Sequence, residues 1–177
     1  AMLDKHVSVP FEFHVRESWY PGWWGKIPIL SEAKAFYMDL SVAIVGNIDH
    51  MLEDTGKFCV CRDFMKPDHI NTKIMSWNQE THYNPGLYRI VNGFSVNPNR
   101  IMDEYQSWPS KWGDQGYVEF QNPERRYFQD VWPGQILSYK EDVGQVGKKE
   151  LAEKYPECRI LAFHGNPRPE DTEYWNI

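Results

Sequence analysis

Cysteine is scarce in this chain of 177 residues, which contains three: Cys59, Cys61 and Cys158. A small, odd number of cysteines argues against a disulfide scaffold and fits a reducing compartment, so the sequence predicts a cytoplasmic protein. The first two lie on one side of a predicted strand, but two thiolates alone do not make a tetrahedral zinc site. Structural thiols are the favoured interpretation, with metal ligands as the alternative.

Long apolar runs are also absent. No stretch approaches the ~20 residues that a membrane-spanning helix needs, so the sequence predicts no membrane span. The first 19 residues lack a basic segment followed by an apolar segment, which is the pattern of a signal peptide.

An excess of positive charge is missing as well. The formal net charge is −6 and the isoelectric point is about 5.5. Proteins that hold nucleic acid by its phosphates usually carry a basic patch, and none stands out here. Nucleic acid is therefore not an expected partner.

Apolar and aromatic residues, in contrast, are plentiful. They make up 41% and 15% of the chain, respectively, which is enough for a real core. Aromatic side chains also form platforms for sugars and bases, but core packing is the favoured role on composition alone. The length fits one domain covering residues 1–177.

Predicted strands alternate with short helices, which indicates an α/β fold. Residues 35–45 look like one buried strand interrupted by Asp39, and further strands are expected in "KFCVCRDF", "HINTKIMSW", "QILSYK" and "CRILAFHG". Helical spacing of apolar residues predicts a helix over 86–95, and short helices are expected in "NRIMDEYQSW" and "KKELAEKY". "SKWGDQGYVEF" is expected to form a Gly-Asp turn followed by an apolar patch.

Two of the predicted strands end in groups that can hold a metal. Asp39 and His164 offer a carboxylate and an imidazole, and Ser41 stands two residues after Asp39, where a second aspartate would aim at the same cation. Ligands in α/β folds bind outside the carboxyl ends of the strands. Taken singly, Asp39 has the alternative of capping a turn, and most lone histidines are not ligands.

Several segments, in order along the chain, resemble GT-A glycosyltransferases of the family 8-like group, which includes glycogenin-like and galactosyltransferase-like enzymes. "WYPGWWGKIPIL" resembles the aromatic-Lys stretch of that group, and "FYMDLSVAIVGNID" resembles its Y-L-D-L-D-hydrophobic-G-N-I-D segment. "INTKIMSW", "WGDQGYV" and "LAFHGNPRP" resemble its N-S-G/S strand, its G-D-Q segment and its closing H-G-x-P-K-P motif. The matches span residues 23 to 169.

The resemblance implies a GT-A-like mixed sheet with flanking helices and a nucleotide diphosphate sugar as donor. In that family the D-x-D motif and the closing histidine bind a divalent metal, usually manganese. The implied metal ligands are Asp39, Ser41 and His164, with manganese or magnesium as cofactor. The implied substrate-binding residues are Lys26, Asn71, Gly165 and Arg168, and the candidates for catalysis on the acceptor side are Asp114 and Gln115.

Four of these residues have a purely structural alternative. Asn71 would satisfy the backbone at a strand end, and Asp114 would cap the following turn. Arg168 would be a solvated loop charge, and Lys26 is more readily structural than catalytic.

The chain departs from the family pattern in two ways. Ser41 replaces the second acidic residue, and a neutral hydroxyl is a weak ligand for manganese or magnesium. The amino-terminal strands of the GT-A fold also look absent, because only "VSVPFEFHV" is available to supply one. A partial core with uncovered sheet edges favours self-association, so a homo-oligomer is expected.

The sequence therefore leaves two functional hypotheses open. In the first, the protein is a metal-dependent enzyme that transfers a hexose from a nucleotide diphosphate sugar to a hydroxyl of a glycan, lipid or protein. In the second, it is a non-catalytic binding or scaffold protein on a decayed GT-A core.

Overall fold

The computed structural model describes residues 19–54, 56–106, 112–122 and 124–174. The strands in these ranges are β1 (Lys34–Met38), β2 (Val42–Ile44), β3 (Cys59–Arg62), β4 (Ile70–Asn78), β5 (Arg126–Tyr127), β6 (Ile136–Ser138) and β7 (Ile160–Ala162). The helices are α1 (Asp49–Leu52), α2 (Pro85–Val96), α3 (Pro98–Tyr105), α4 (Gly113–Gln121), α5 (Phe128–Val131) and α6 (Lys148–Lys154). Runs of 3₁₀ turns cover Gly22–Ser31 and Pro169–Asp171. The α/β class is as predicted, whereas the expected strand in "VSVPFEFHV" lies outside the described residues.

The described strands form two mixed sheets. In the first sheet the spatial order is β1-β4-β3-β5, with β4 antiparallel to both of its neighbours and β5 parallel to β3. In the second sheet the order is β2-β7-β6, with β7 antiparallel to β2 and parallel to β6. The amino end of β4 therefore lies beside the carboxyl ends of β1 and β3.

The turn at Asp39 carries the chain from the first sheet to the second. The sequence predicts one strand through residues 35–45, but β1 ends at Met38 and β2 pairs only with β7. The backbone N–H of Asp39 still donates to the carbonyl of Lys73 at 2.8 Å, and the N–H of Phe163 donates to the carbonyl of Ser41 at 2.9 Å. Leu40, between them, is 62% exposed. Polar side chains are accommodated here because they stand at the rim and not in the middle of a buried strand.

Apolar clusters on both faces of the first sheet hold the layers together. Alternate residues of each strand face opposite sides, so Met75 and Val60 pack under the helices while Ile74 and Cys59 face the second sheet. Cys59 and Cys61 are fully buried between the sheets, and burial raises the pKa of Cys59 to about 12. Protonated thiols in this position agree with the structural interpretation of these cysteines.

Of the helices that cover the first sheet, α2 was predicted from the sequence and α4 was not. Helix α2 begins where Asn84 accepts hydrogen bonds from the N–H groups of Gly86 and Leu87, and it matches the helix predicted over 86–95. Helix α4 was not expected, because the sequence indicated only a turn and an apolar patch there. Its Tyr117 and Val118 are buried against the first sheet and α2, which stabilises a helix that begins at a glycine. No helix in the described ranges is long and apolar enough to cross a bilayer.

Candidate functional site

Polar side chains gather where strands of the first sheet end. Asp39 directly follows β1, and Asp63 directly follows β3. Because β4 is antiparallel to both strands, its first residues, including Asn71, lie at the same edge. The carboxyl ends of two strands thus bring two aspartates to one rim of the sheet.

The second sheet adds residues to the same rim. The last residue of β7, Ala162, pairs with Val42 at the start of β2, so His164 lies beside the turn that contains Ser41. Strand β6 runs parallel to β7 and ends opposite Ala162, which places Lys140 at this end of the sheet as well. The topology therefore brings together residues that are far apart in the chain.

Two adjoining cavities open at this rim. One, about 580 Å³ in volume, contains Ser41 and Arg168 in its wall and is called the Ser41 cavity below. The other, about 510 Å³, contains Asp114 and Gln115 and is called the Asp114 cavity. The residues that line both cavities are Trp23, Lys26, Asp39, Lys73 and Gly165.

Every site residue expected from the sequence lines at least one of these cavities. The Ser41 cavity is lined by Lys26, Asp39, Ser41, Gly165 and Arg168. The Asp114 cavity is lined by Lys26, Asp39, Asn71, Asp114, Gln115, His164 and Gly165. Residues from five separate segments of sequence are thus brought to one place.

Lys26 connects the buried carboxylate of Asp114 to the partly exposed carboxylate of Asp39. Its ammonium lies 3.1 Å from Asp39 and 3.2 Å from Asp114, and it also donates to the hydroxyl of Thr72 at 3.3 Å. The hydroxyl of Tyr37 donates to Asp39 at 2.5 Å. Lys26 is only 6% exposed, so this ion pair is largely removed from water. The geometry agrees with the structural alternative for Lys26, in which it holds the two acids in place.

Asp114 stands in the first turn of α4 but does not cap it, because the residue at the cap position is Trp112. Its carboxylate accepts a hydrogen bond from Thr72 at 2.8 Å and pairs with Lys26. Burial raises the pKa of Asp114 above the ordinary carboxyl value, while Lys26 and Thr72 oppose that rise. The side chain is therefore fixed in position and faces the Asp114 cavity with one carboxylate oxygen paired to β4.

Lys73 is a site residue that the sequence analysis did not identify. Its ammonium donates a hydrogen bond of 2.7 Å to the hydroxyl of Ser41, and its side chain lines both cavities. Burial lowers the pKa of Lys73, Asp39 opposes that change, and the cations Lys26 and Arg168 add to it. A lysine thus stands against the position where the family pattern has its second aspartate.

His164 is neutral at physiological pH. Burial is the main reason that its pKa falls to about 4, and the nearby ammonium of Lys73 lowers it further. The ring contacts Phe64, with ring centroids 5.1 Å apart. Its Nε2 atom is buried and has no hydrogen-bond partner among the described residues. An unpaired ring nitrogen at a cavity wall is available to a ligand.

Asn71 and Gly165 shape the walls beside His164. The amide of Asn71 donates to Asp63 at 3.2 Å and accepts from the backbone N–H of Lys73 at 3.1 Å, as its structural alternative requires. Gly165 has a φ of +66°, in the left-handed region that favours glycine. A Cβ at this position would meet only the ammonium of Lys140, at 3.9 Å, so this wall is open.

The donor set fits a divalent cation poorly. Asp39 already accepts from Tyr37 and Lys26, and the hydroxyl of Ser41 accepts from Lys73. In the described part of the chain, no three His, Cys, Asp or Glu side chains converge in a way that suits a metal ion. Of the three predicted metal ligands, His164 is the one whose ligating atom, Nε2, has no other partner among the described residues. Binding of manganese or magnesium stays a prediction from the sequence. Of the three predicted metal ligands, Asp39 contacts the ammonium of Lys26 and Ser41 contacts the ammonium of Lys73.

Thr72, Tyr37 and Asp63 also belong to the site without having been anticipated. Thr72 donates to Asp114, which is distant in sequence, so a linear pattern does not show this bond. Tyr37 and Asp63 bond to the nearer residues Asp39 and Asn71. Lys73 had a usable signal, because a lysine in a predicted buried strand requires a partner or an opening to solvent.

Comparisons with solved structures show a likeness of fold. No protein-family model matches the chain, and no curated protein matches it. Among solved structures, the crystal structure of the glycosyltransferase GlyE from Streptococcus pneumoniae TIGR4 is similar in fold, with a TM-score of 0.52 and 16% sequence identity over 90% of this chain. The chain spans 40% of that structure's length. The mixed sheets and flanking helices described here thus form a glycosyltransferase-like fold.

Proposed function

We propose that this protein binds a nucleotide diphosphate sugar and transfers its hexose to a hydroxyl group of a glycan, lipid or protein. The observation that carries the proposal is the convergence of all nine expected site residues on two adjoining cavities. The likeness of fold to a protein named as a glycosyltransferase supports the same conclusion.

The Ser41 cavity suits the diphosphate of the donor. The guanidinium of Arg168 presents a planar set of N–H donors that matches phosphate oxygens. The backbone at Gly165 has no side chain in the way of an approaching phosphate. Positive charge in this wall stabilises the diphosphate as it departs, because the developing negative charge meets donors that are already in place.

The Asp114 cavity suits the sugar and the acceptor. Asn71 and Gln115 supply amide groups that both donate and accept, as sugar hydroxyls require. Trp23 adds an aromatic surface shared with the Ser41 cavity. In this arrangement the donor lies across both cavities, with its anomeric carbon near Asp39 and Lys26.

The transfer breaks the bond between the anomeric carbon and the diphosphate oxygen and forms a bond to the acceptor oxygen. The acceptor proton must be removed as that bond forms, and Asp114 is the carboxyl group lining this cavity whose pKa is raised. Lys26 and Thr72 hold this group in one orientation. Gln115, the next residue, is placed to bind a hydroxyl of the sugar or the acceptor.

A panel of nucleotide diphosphate sugars tests the proposal. The purified protein is incubated with each donor and with glycan and simple alcohol acceptors, and release of the free nucleoside diphosphate is measured by chromatography. Gln115→Ala is expected to lower the rate by at least about tenfold, since one hydrogen bond in the transition state is lost. Gln121→Ala, in the same helix but outside both cavities, is the matched control and should keep the wild-type rate.

The scaffold hypothesis predicts a different result. Replacement of the second acid by Ser41 and the pairing of Asp39 with Lys26 favour it as the second candidate. In that case a donor binds in isothermal titration calorimetry without any release of nucleoside diphosphate. A folded protein that neither binds nor consumes any donor in the panel would contradict the proposed transfer.

A further inference from the structure

We propose that the Ser41 cavity holds a diphosphate with side-chain cations alone, Lys73 standing where the family pattern would have a divalent metal. The identity of the diphosphate as part of a sugar donor rests on the proposed function. The binding of the diphosphate group itself rests only on the geometry of the cavity.

The first support is the contact between Ser41 and Lys73. The acid expected at position 41 is a serine, and the backbone of Lys73, on β4, pairs with that of Asp39, two residues earlier in the same turn. The side chains of Ser41 and Lys73 meet in a hydrogen bond of 2.7 Å. A divalent cation held by Ser41 would lie against an ammonium group and would be repelled by it. A serine in place of the expected acid and a lysine ammonium thus meet at one point of the structure.

The second support is an excess of positive charge facing the cavity. The ammonium of Lys73 lies near the guanidinium of Arg168, which acts on it as a like charge. Lys140 lies near Gly165 and acts on His164 as a like charge, as Lys73 does. Neither Arg168 nor Lys140 forms an ion pair with a side chain in the described ranges.

Cations outnumber carboxylates in the wall of the Ser41 cavity, which contains Lys26, Lys73 and Arg168. Asp39 is the carboxylate that lines the Ser41 cavity, and Lys26 pairs with it at 3.1 Å. The charges of Lys73 and Arg168 therefore face the cavity in excess of the charge of Asp39, and Lys140 lies beside Gly165 in the same wall. A diphosphate carries several negative charges and many acceptor oxygens, which is the chemistry that converging cations bind best.

Isothermal titration calorimetry with inorganic pyrophosphate tests the inference. Wild-type protein is titrated once in excess EDTA and once in excess Mn²⁺. We expect binding in EDTA, with an affinity that Mn²⁺ changes by less than about threefold. Lys73→Met should weaken binding in EDTA by about 10- to 100-fold, as the loss of one hydrogen bond to a charged partner does. Lys57→Met removes the same charge from an exposed position and should leave the affinity unchanged.

Restoring the acid at position 41 and removing the lysine at position 73 gives a second measurement, which does not depend on the folding of Lys73→Met. Ser41→Asp places a carboxylate against Lys73, so it should also weaken pyrophosphate binding in EDTA. The double variant Ser41→Asp, Lys73→Ser should bind pyrophosphate only when Mn²⁺ is present. Binding by the wild type that requires Mn²⁺, or no binding in either buffer, would overturn the inference.

The outcomes separate this inference from the proposed function. Turnover of a sugar donor that occurs only with Mn²⁺ leaves the transferase intact and refutes the metal-free site. Metal-free binding of pyrophosphate without turnover of any donor supports the site and refutes the transferase.

Discussion

Lys26 is the residue whose removal tests the architecture of the site most directly. Its ammonium lies 3.1 Å from Asp39 and 3.2 Å from Asp114, and both it and Asp114 are about 5% exposed. At an effective dielectric constant of about 20, opposite charges about 3.2 Å apart attract by about 5 kcal/mol. The desolvation of the ammonium offsets part of this attraction. Lys26→Met keeps the apolar stem and leaves the buried carboxylate of Asp114 without a cation, so it should lower the free energy of unfolding by about 3–5 kcal/mol.

The pH dependence separates lost charge from lost packing. Lys26 is the largest influence that lowers the pKa of Asp114, so its removal raises that pKa further. The folded variant then binds a proton more readily than the unfolded chain. The variant should therefore be most destabilised at neutral pH, and the deficit should shrink as the pH falls towards the ordinary carboxyl value and Asp114 becomes protonated.

Urea denaturation of wild type and Lys26→Met at pH 7 and pH 4.5 measures both effects. Lys34→Met, on an exposed strand position, is the control and should change stability by less than about 0.5 kcal/mol. Asp114→Asn in the Lys26→Met background should recover part of the loss at pH 7. A Lys26→Met variant within about 1 kcal/mol of wild type at pH 7, or equally destabilised at both pH values, would refute the reasoning.

Three further predictions concern single positions. His164 has a pKa of about 4, below the usual 6.5, so between these values the unfolded chain takes up a proton that the folded chain does not, and stability should fall as the pH drops through this window. In thermal melts, the stability of His164→Gln should fall by about 1–2 kcal/mol less than that of the wild type over this pH range, allowing for the partial exposure of the ring. Gly165→Ala, at a φ of +66°, should lower the stability by about 1 kcal/mol in urea denaturation, and an unchanged midpoint would contradict the left-handed backbone. Asn84→Ala should lower it by about 1 kcal/mol, because two N–H groups of α2 lose their acceptor, whereas Asn92→Ala on the same helix should not.

The sequence predicted those elements whose pattern is local. Helix α2 follows from the spacing of Leu87, Ile90 and Phe94, and strands β3 and β4 follow from their β-branched and apolar residues. Helix α4 was missed because a glycine at its start obscures the helical pattern, while packing of Tyr117 supplies the stability. The division of residues 35–45 between two sheets was missed because periodicity does not show which partner a strand pairs with.

In the candidate site, too, the sequence predicted the residues that belong to local motifs and not the partners that hold them. The resemblance named nine residues. The shared rim at the carboxyl ends of β1 and β7 and the amino end of β4 explains why those near strand ends meet, while Lys26 comes from the first 3₁₀ run and Asp114 and Gln115 come from α4. The partners that hold them, such as Thr72 for Asp114 and Tyr37 for Asp39, depend on how the side chains are placed in three dimensions. Lys73 lies within "INTKIMSW", but the resemblance of that segment gives it no role, which comes from its contact with Ser41.

That contact bears on whether the altered motif is a damaged site or a different one. A site that has simply lost a ligand leaves its remaining charges as they were. Here the hydroxyl of Ser41 receives a half-buried ammonium, whose pKa burial lowers. Holding the cation there costs free energy, which Asp39 offsets in part and a bound anion would offset further. A bound diphosphate would remove that cost and oppose the repulsion between Lys73 and Arg168. The cavity is therefore better suited to a bound anion than to solvent alone, and pyrophosphate in EDTA should raise the melting temperature of the wild type but not of Lys73→Met.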